Sequence, residues 1–204
     1  MKNLIQLNFQ NIKNVGIRVD FNVPINGSFQ ITDDTRLIRA KDTIDFVYKN
    51  ESKILLLSHF GRPKESFDEK FSFKNLIYQF SDILGYEIHL LPYEEFLKNG
   101  LQQFIKGTNK ITLLDNIRFF QGEKKNDKSF SQLITNELDL FINEAFSASH
   151  RSHASVNQMA KNILSAPGLN FSKEVLAIND IKNSTKRKLA IIGGSKVSTK
   201  IKTL

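Results

Sequence analysis

The chain contains no cysteine, which excludes disulfides, thiolate metal sites and thiol nucleophiles together. No apolar stretch approaches the ~18 residues of a membrane helix, and residues 1–9 lack the apolar block of a secretory signal. A cytoplasmic protein without a membrane partner is therefore expected. The basic excess is confined to one stretch. Between Lys182 and Leu204 there are seven basic side chains and no carboxylate. The net charge of +8 is thus a feature of the C-terminal stretch, the rest being nearly neutral, which argues against a duplex-binding surface over the whole molecule. Tryptophan is absent too, while 17 phenylalanines fall mostly at core-facing helical spacings, as Phe46, Phe80 and Phe104 do. They read as packing rather than as stacking platforms for nucleic acid.

Arginine is scarce beside lysine, with seven among 29 basic residues. Four of the seven, Arg36, Arg62, Arg118 and Arg151, come shortly after short apolar runs that read as buried strands. A guanidinium grips phosphate or carboxylate through a planar fork, whereas lysine is a point charge on a flexible stem. That placement points to an anion site.

Five apolar runs recur at residues 16–21, 53–58, 86–91, 110–114 and 138–142, and a sixth at 189–192. Runs such as ILLL at 54–57 do not alternate, which suits strands covered on both faces, hence a parallel sheet. Helical patterns lie between them. One is capped by Thr32 or Asp33 and carries the stripe Leu37, Ala40, Ile44, Val47 and Tyr48; a second covers 73–84 and stops at Gly85; others cover 94–105, 129–137, 155–163 and 171–181. Pro167–Gly168 reads as a turn. The pattern predicts an open, doubly wound, Rossmann-like α/β sheet that is mainly parallel.

Ligands in such sheets sit beyond the carboxyl ends of the strands, and the polar residues gather there. Asp20 and Asn22 follow the first strand, with Arg36 at the next helix start. Ser58, His59 and Arg62 follow the second, Asp115, Asn116 and Arg118 the fourth, and Glu144, His150, Arg151 and His153 the fifth. Arg39 reads as a surface charge or a supporting partner. Ser58 beside His59 does not suggest a hydrolase, since extended neighbours point apart. His150 and His153 lack a carboxylate to complete a metal set and read as an anion-facing pair. In IIGGSKVSTK (191–200), a strand ends in two glycines before lysines and hydroxyls, a phosphate-binding pattern that lacks Walker A spacing.

RVDFNVP (18–24), ITDDTR (31–36), SHFGRPK (58–64), LLDNIRFFQGEKKND (113–127), NEAFSASHRSHAS (143–155) and IIGGSKVSTK (191–200) together resemble the phosphoglycerate kinase family over essentially the whole chain. The resemblance implies reversible phosphoryl transfer between 1,3-bisphosphoglycerate and ADP, giving 3-phosphoglycerate and ATP, by a monomer of two α/β domains joined by a hinge helix. It implies that Asp20 and Asn22 hold the glycerate hydroxyl and carboxylate side. His59, Arg62, Arg118 and Arg151 would bind the non-transferred phosphate. Arg36 would stabilise the transferring phosphoryl, Lys196 would follow that group, and Lys200 would meet the nucleotide phosphates in the loop of Gly193 and Gly194. Phe60, Asp115, Glu144 and Phe120–Gln121 depart from the family's usual residues without removing a ligand-binding side chain.

The same resemblance implies an organisation of residues 1–170 as a phosphoglycerate-binding domain, 171–185 as a hinge helix and 186–204 as the truncated start of a nucleotide domain. Mg2+ would come with ATP or ADP, its protein ligands lying in the other half. Two functions of different class follow: a phosphoglycerate kinase, or a 3-phosphoglycerate-binding fragment without turnover. A nucleic-acid binder using residues 182–204 is the reading that charge alone would give.

Overall fold

The computed structural model describes residues 3–189 and 191. Six strands form one sheet: β1 (Asn14–Arg18), β2 (Lys53–Leu57), β3 (His89–Leu91), β4 (Ile111–Leu114), β5 (Leu140–Asn143) and β6 (Ser165–Pro167). Their spatial order is β3-β4-β2-β1-β5-β6, and every neighbouring pair is parallel. The helices are α1 (Thr35–Lys49), α2 (Ile77–Leu84), α3 (Tyr93–Asn99), α4 (Gln102–Lys106), α5 (Gln121–Lys124), α6 (Lys128–Thr135), α7 (Met159–Asn162) and α8 (Leu169–Asn183). β1 sits at the centre, where the chain winds first toward β2 and, after β4, crosses to β5 on the other side.

The unbroken apolar runs explain the two-faced burial. Along β2, Ile54 and Leu56 enter a core with Leu37, Ile44, Val47, Phe73 and Phe80 from the α1 and α2 side. Leu55 and Leu57 enter the opposite core with Phe96, Phe104, Phe130, Ile134 and Met159. All four leucine and isoleucine side chains are fully buried, each contributing roughly 1.5–3 kcal/mol relative to exposure. Gly85 ends α2 in the left-handed conformation, φ 74°, as its position after the helical stripe predicts.

Four sequence expectations change. Tyr48 is exposed and stacks on Tyr86, and Thr43 takes the buried place on α1. The α1 cap residue is Asp34, which makes no side-chain cap bond, while Asp33 Oδ1 accepts from Thr35 N. The helix expected over 94–105 is two helices, broken at Gly100, whose φ is 57°. Pro167 closes a strand, β6, paired with β5; proline is tolerated there because β6 is an edge. Of the run at 189–192, Leu189 is exposed and outside any strand, and Ala190 and Ile192 lie outside the described residues.

Among the described residues, no helix is long and apolar enough to cross a membrane.

Candidate anion-binding site

β1 ends in an arginine buried from water. Arg18 is 1% exposed, and a charge in that position needs partners on every donor. Its Nε donates to Ser155 Oγ at 2.8 Å, Nη2 donates to His59 Nδ1 at 3.0 Å, and Nη1 donates to the carbonyl of Val19. Ser155 in turn donates through its hydroxyl to Glu123 Oε1 at 2.7 Å and through its backbone N–H to Glu123 Oε2 at 2.9 Å. Burial opposes ionisation of Glu123, but His153, the Arg18 charge and Ser155 outweigh it and hold its pKa below the ordinary value.

The loop after β2 carries His59. Burial, followed by the charges of Arg18, Arg118, Arg151 and Arg36, depresses its pKa to about 2. Four guanidinium groups from four separate segments therefore act on one neutral imidazole. The loop is pinned on two sides. Asn22 Oδ1 accepts from Gly61 N at 2.8 Å, and Asn116 Nδ2 donates to the carbonyls of Phe60 and Phe71 at 2.6 and 3.0 Å. Gly61 has φ +59°, and a Cβ there would lie 2.3 Å from the Phe71 ring, so only glycine fits.

After β4, a short 3-10 turn (Ile117–Phe119) presents Arg118. Its Nη1 donates to Gly61 O at 2.6 Å. Burial, then Arg151 and Arg18, lower its pKa to about 10, with Arg62 a further contributor. Arg62 itself is exposed. Arg151, on the loop after β5, places Nε 3.2 Å from His150 Nε2.

Asp20 and Arg36 meet at the next position along the sheet edge. Asp20 Oδ2 accepts from both Arg36 Nη1 and Ser147 Oγ, while the Arg36 side chain remains 46% exposed. Both line a cleft of about 230 Å³ whose far wall is Phe146, Phe171 and Glu174. Arg39 is on that wall too, 3.8 Å from Glu174.

The structure thus gathers Arg36, His59, Arg62, Arg118 and Arg151 on one edge of the sheet, with Asp20 and Asn22 beside them. Other strand-end residues serve the fold. Asp115 accepts from Ser72 Oγ, Phe73 N and Asn116 N. Ser58 Oγ accepts from Phe21 N and forms no pair with the His59 ring. His153 turns Nδ1 toward Glu123 Oε1 at 3.6 Å, so this nitrogen faces a carboxylate of the chain itself rather than the basin. Gly193, Gly194, Lys196 and Lys200 lie outside the described residues. Among those described, no group of three His, Asp or Glu side chains could hold a metal ion.

Arg18, Ser155 and Glu123 escaped the sequence reading. One signal was present: an arginine inside the apolar run GIRV has no solvent to reach and needs a buried counter-charge. Nothing local to residues 123 or 155 marked them as that partner.

Clustered cations repel one another, by roughly 4 kcal/mol per pair at 4 Å in a surface-like dielectric. An oxyanion with two or more negative charges would offset that repulsion and satisfy the forks.

The family model described as phosphoglycerate kinase matches residues 4–204. A phosphoglycerate kinase of Prochlorococcus marinus (strain MIT 9515) is 39% identical over 94% of this chain and 48% of its own length. A protein named phosphoglycerate kinase 3, cytosolic, from Arabidopsis thaliana is 38% identical over 93% of this chain and 47% of its own. Among solved structures, phosphoglycerate kinase from Coxiella burnetii superposes with a TM-score of 0.81 at 32% identity, covering 98% of this chain and 50% of that one. The enzyme from Pyrococcus horikoshii OT3 gives 0.85 at 25% identity, covering 99% and 51%. The chain spans about half the length of the curated relatives it matches. With the family model running through nearly every residue, and the fold shared with solved members, this chain belongs to the phosphoglycerate kinase family.

Proposed function

We propose that the described residues bind 3-phosphoglycerate, or the 3-phosphoryl end of 1,3-bisphosphoglycerate, for phosphoryl exchange with ATP or ADP. The observation that carries this reading is the convergence of Arg18, Arg36, Arg118 and Arg151 on His59. Arg118, Arg151, Arg62 and His59 take the non-transferred phosphate, the guanidinium forks supplying charge and the imidazole a neutral donor. Asp20 and Asn22 meet the hydroxyl and carboxylate side. Arg36, half exposed at the cleft, stands where charge on a transferring phosphoryl would develop, and such electrostatic stabilisation is the protein's main contribution to phosphoryl transfer.

Lys196, Lys200, Gly193 and Gly194 are assigned to the nucleotide phosphates on their sequence pattern, and Mg2+ arrives with the nucleotide, where it neutralises phosphate charge. α8 is the connector to a nucleotide domain: it buries no residue and exposes Leu176 and Ile181. Action as a cytoplasmic monomer goes with this reading.

Titration calorimetry tests it. The 204-residue chain should bind 3-phosphoglycerate more tightly than glycerate, and Arg118→Ala should weaken binding about tenfold or more, since a charge-assisted bond is worth roughly 1.5–3 kcal/mol. Equal affinity for glycerate, or no effect of Arg118→Ala, would overturn it.

A further inference from the structure

Beneath the cations runs a relay whose every polarity is dictated. Glu123 lies on α5 and is 0% exposed. Ionised, it can only accept, so the Ser155 hydroxyl gives its single proton to Oε1 at 2.7 Å. Ser155 Oγ is then an acceptor for Arg18 Nε at 2.8 Å. A guanidinium has donors only, so the 3.0 Å contact between Arg18 Nη2 and His59 Nδ1 requires Nδ1 to be unprotonated. The imidazole proton must therefore sit on Nε2, the ring nitrogen that makes no protein hydrogen bond among the described residues.

We propose that Glu123 is a positioning residue of the anion basin: through Ser155 and Arg18 it fixes His59 as the Nε2–H tautomer, giving the basin a neutral, directional donor among its cations. A neutral donor adds a hydrogen bond to an oxyanion without adding repulsion against Arg118 and Arg151. A glutamine at residue 123 offers one acceptor oxygen where Ser155 uses two, so the Ser155 hydroxyl and backbone N–H are no longer both held toward α5. Arg18 then loses both its fixed acceptor and its nearest counter-charge. Its grip on Nδ1 loosens, and the two ring tautomers become comparable.

The functional value of this relay rests on the phosphate-binding reading above; the tautomer does not. Long-range nitrogen–proton spectra of the His59 ring should show Nε2–H and unprotonated Nδ1 from about pH 5.5 to 8, the range in which an unperturbed histidine titrates. In Glu123→Gln, with the backbone amide spectrum retained, His59 should exchange between tautomers and inorganic phosphate should bind about tenfold more weakly. The sign is diagnostic, because removing a carboxylate makes the basin more positive, and Coulomb attraction alone would tighten phosphate.

Unchanged His59 signals in Glu123→Gln, or tighter phosphate, would overturn the proposal. If Glu123→Gln does not fold, Ser155→Ala cuts the same relay with the carboxylate left in place. It must produce the same tautomer exchange, and a fixed Nε2–H there is equally fatal. Failure of phosphate to bind the unaltered chain would sink the functional reading, while the ring spectra would still decide the relay.

Discussion

Glu123 and Glu144 are both buried carboxylates, and their surroundings send them in opposite directions. Glu123 has two donors from Ser155 and the Arg18 charge, so it stays ionised. Among the described residues Glu144 Oε2 accepts from Thr43 Oγ1 at 2.6 Å, and Oε1 is buried with no partner at hydrogen-bonding distance. Burial pushes its pKa to about 7 against an ordinary 4.5, despite Thr43 and the backbone of Phe171 and Asn170. Between those two values the folded chain keeps a proton that the unfolded chain has lost. Stability should therefore fall as pH rises through that window and level off on either side. Glu144→Gln should flatten the profile and gain about 3 kcal/mol at pH 8, with little change at pH 4. Urea unfolding at the two pH values measures it. This carboxylate was legible as a strand-end residue at 144, but its protonation was not. Only the path of α8, which brings Leu169 N to Thr43 at 2.9 Å, shows that the group is sealed.

The loop between β2 and the 3-10 turn Glu69–Phe71 shows what an element must do to present such residues. Gly61 lets the chain turn back so that its carbonyl meets Arg118 and its N–H meets Asn22. A methyl group in its place meets Phe71 in a backbone conformation already unfavourable to other residues. Gly61→Ala should cost about 2 kcal/mol or more in stability and weaken 3-phosphoglycerate binding together with it, as calorimetry and thermal melts would show. Elements were legible where a single physical signal dominated. The unalternating ILLL run gave β2, and the stripe ending at Gly85 gave α2. Signals in conflict misled. Proline and glycine at 167–168 hid β6, because an edge strand tolerates what a central one does not. Periodicity carried a helix across Gly100, where a positive φ breaks it. Tyr48 matched the α1 stripe, yet its ring lies against Tyr86 at 4.6 Å, with Lys110 over its face at 5.7 Å.

For the molecule as a whole, a cluster of guanidinium groups held by the fold is a stored electrostatic cost that a polyanion removes. Inorganic phosphate at ten times its dissociation constant should stabilise the chain by about 1.4 kcal/mol and raise the melting temperature by roughly 2–4 °C. The gain should fall to about 0.4 kcal/mol or less in Arg118→Ala, as differential scanning calorimetry would show. The chain alone should show no kinase turnover in a coupled ATP assay, because positioning both substrates supplies much of the rate. Measurable turnover would contradict the proposal that the Mg2+ ligands and most of the nucleotide site lie outside these 204 residues. The strand-end arginines were readable because arginine is rare here and each follows a buried run. The layer beneath them was not, since Ser155 and Glu123 become neighbours of Arg18 only when β5 pairs with β1.

That pairing sets a timetable. Arg18 and Ser155 are 137 positions apart, so at ~5–20 residues per second a ribosome needs roughly 10–25 s to deliver the second after the first. Throughout that interval the central strand carries a guanidinium without its hydroxyl partner, and the nascent polypeptide is a natural client for chaperones until the start of its last third has emerged.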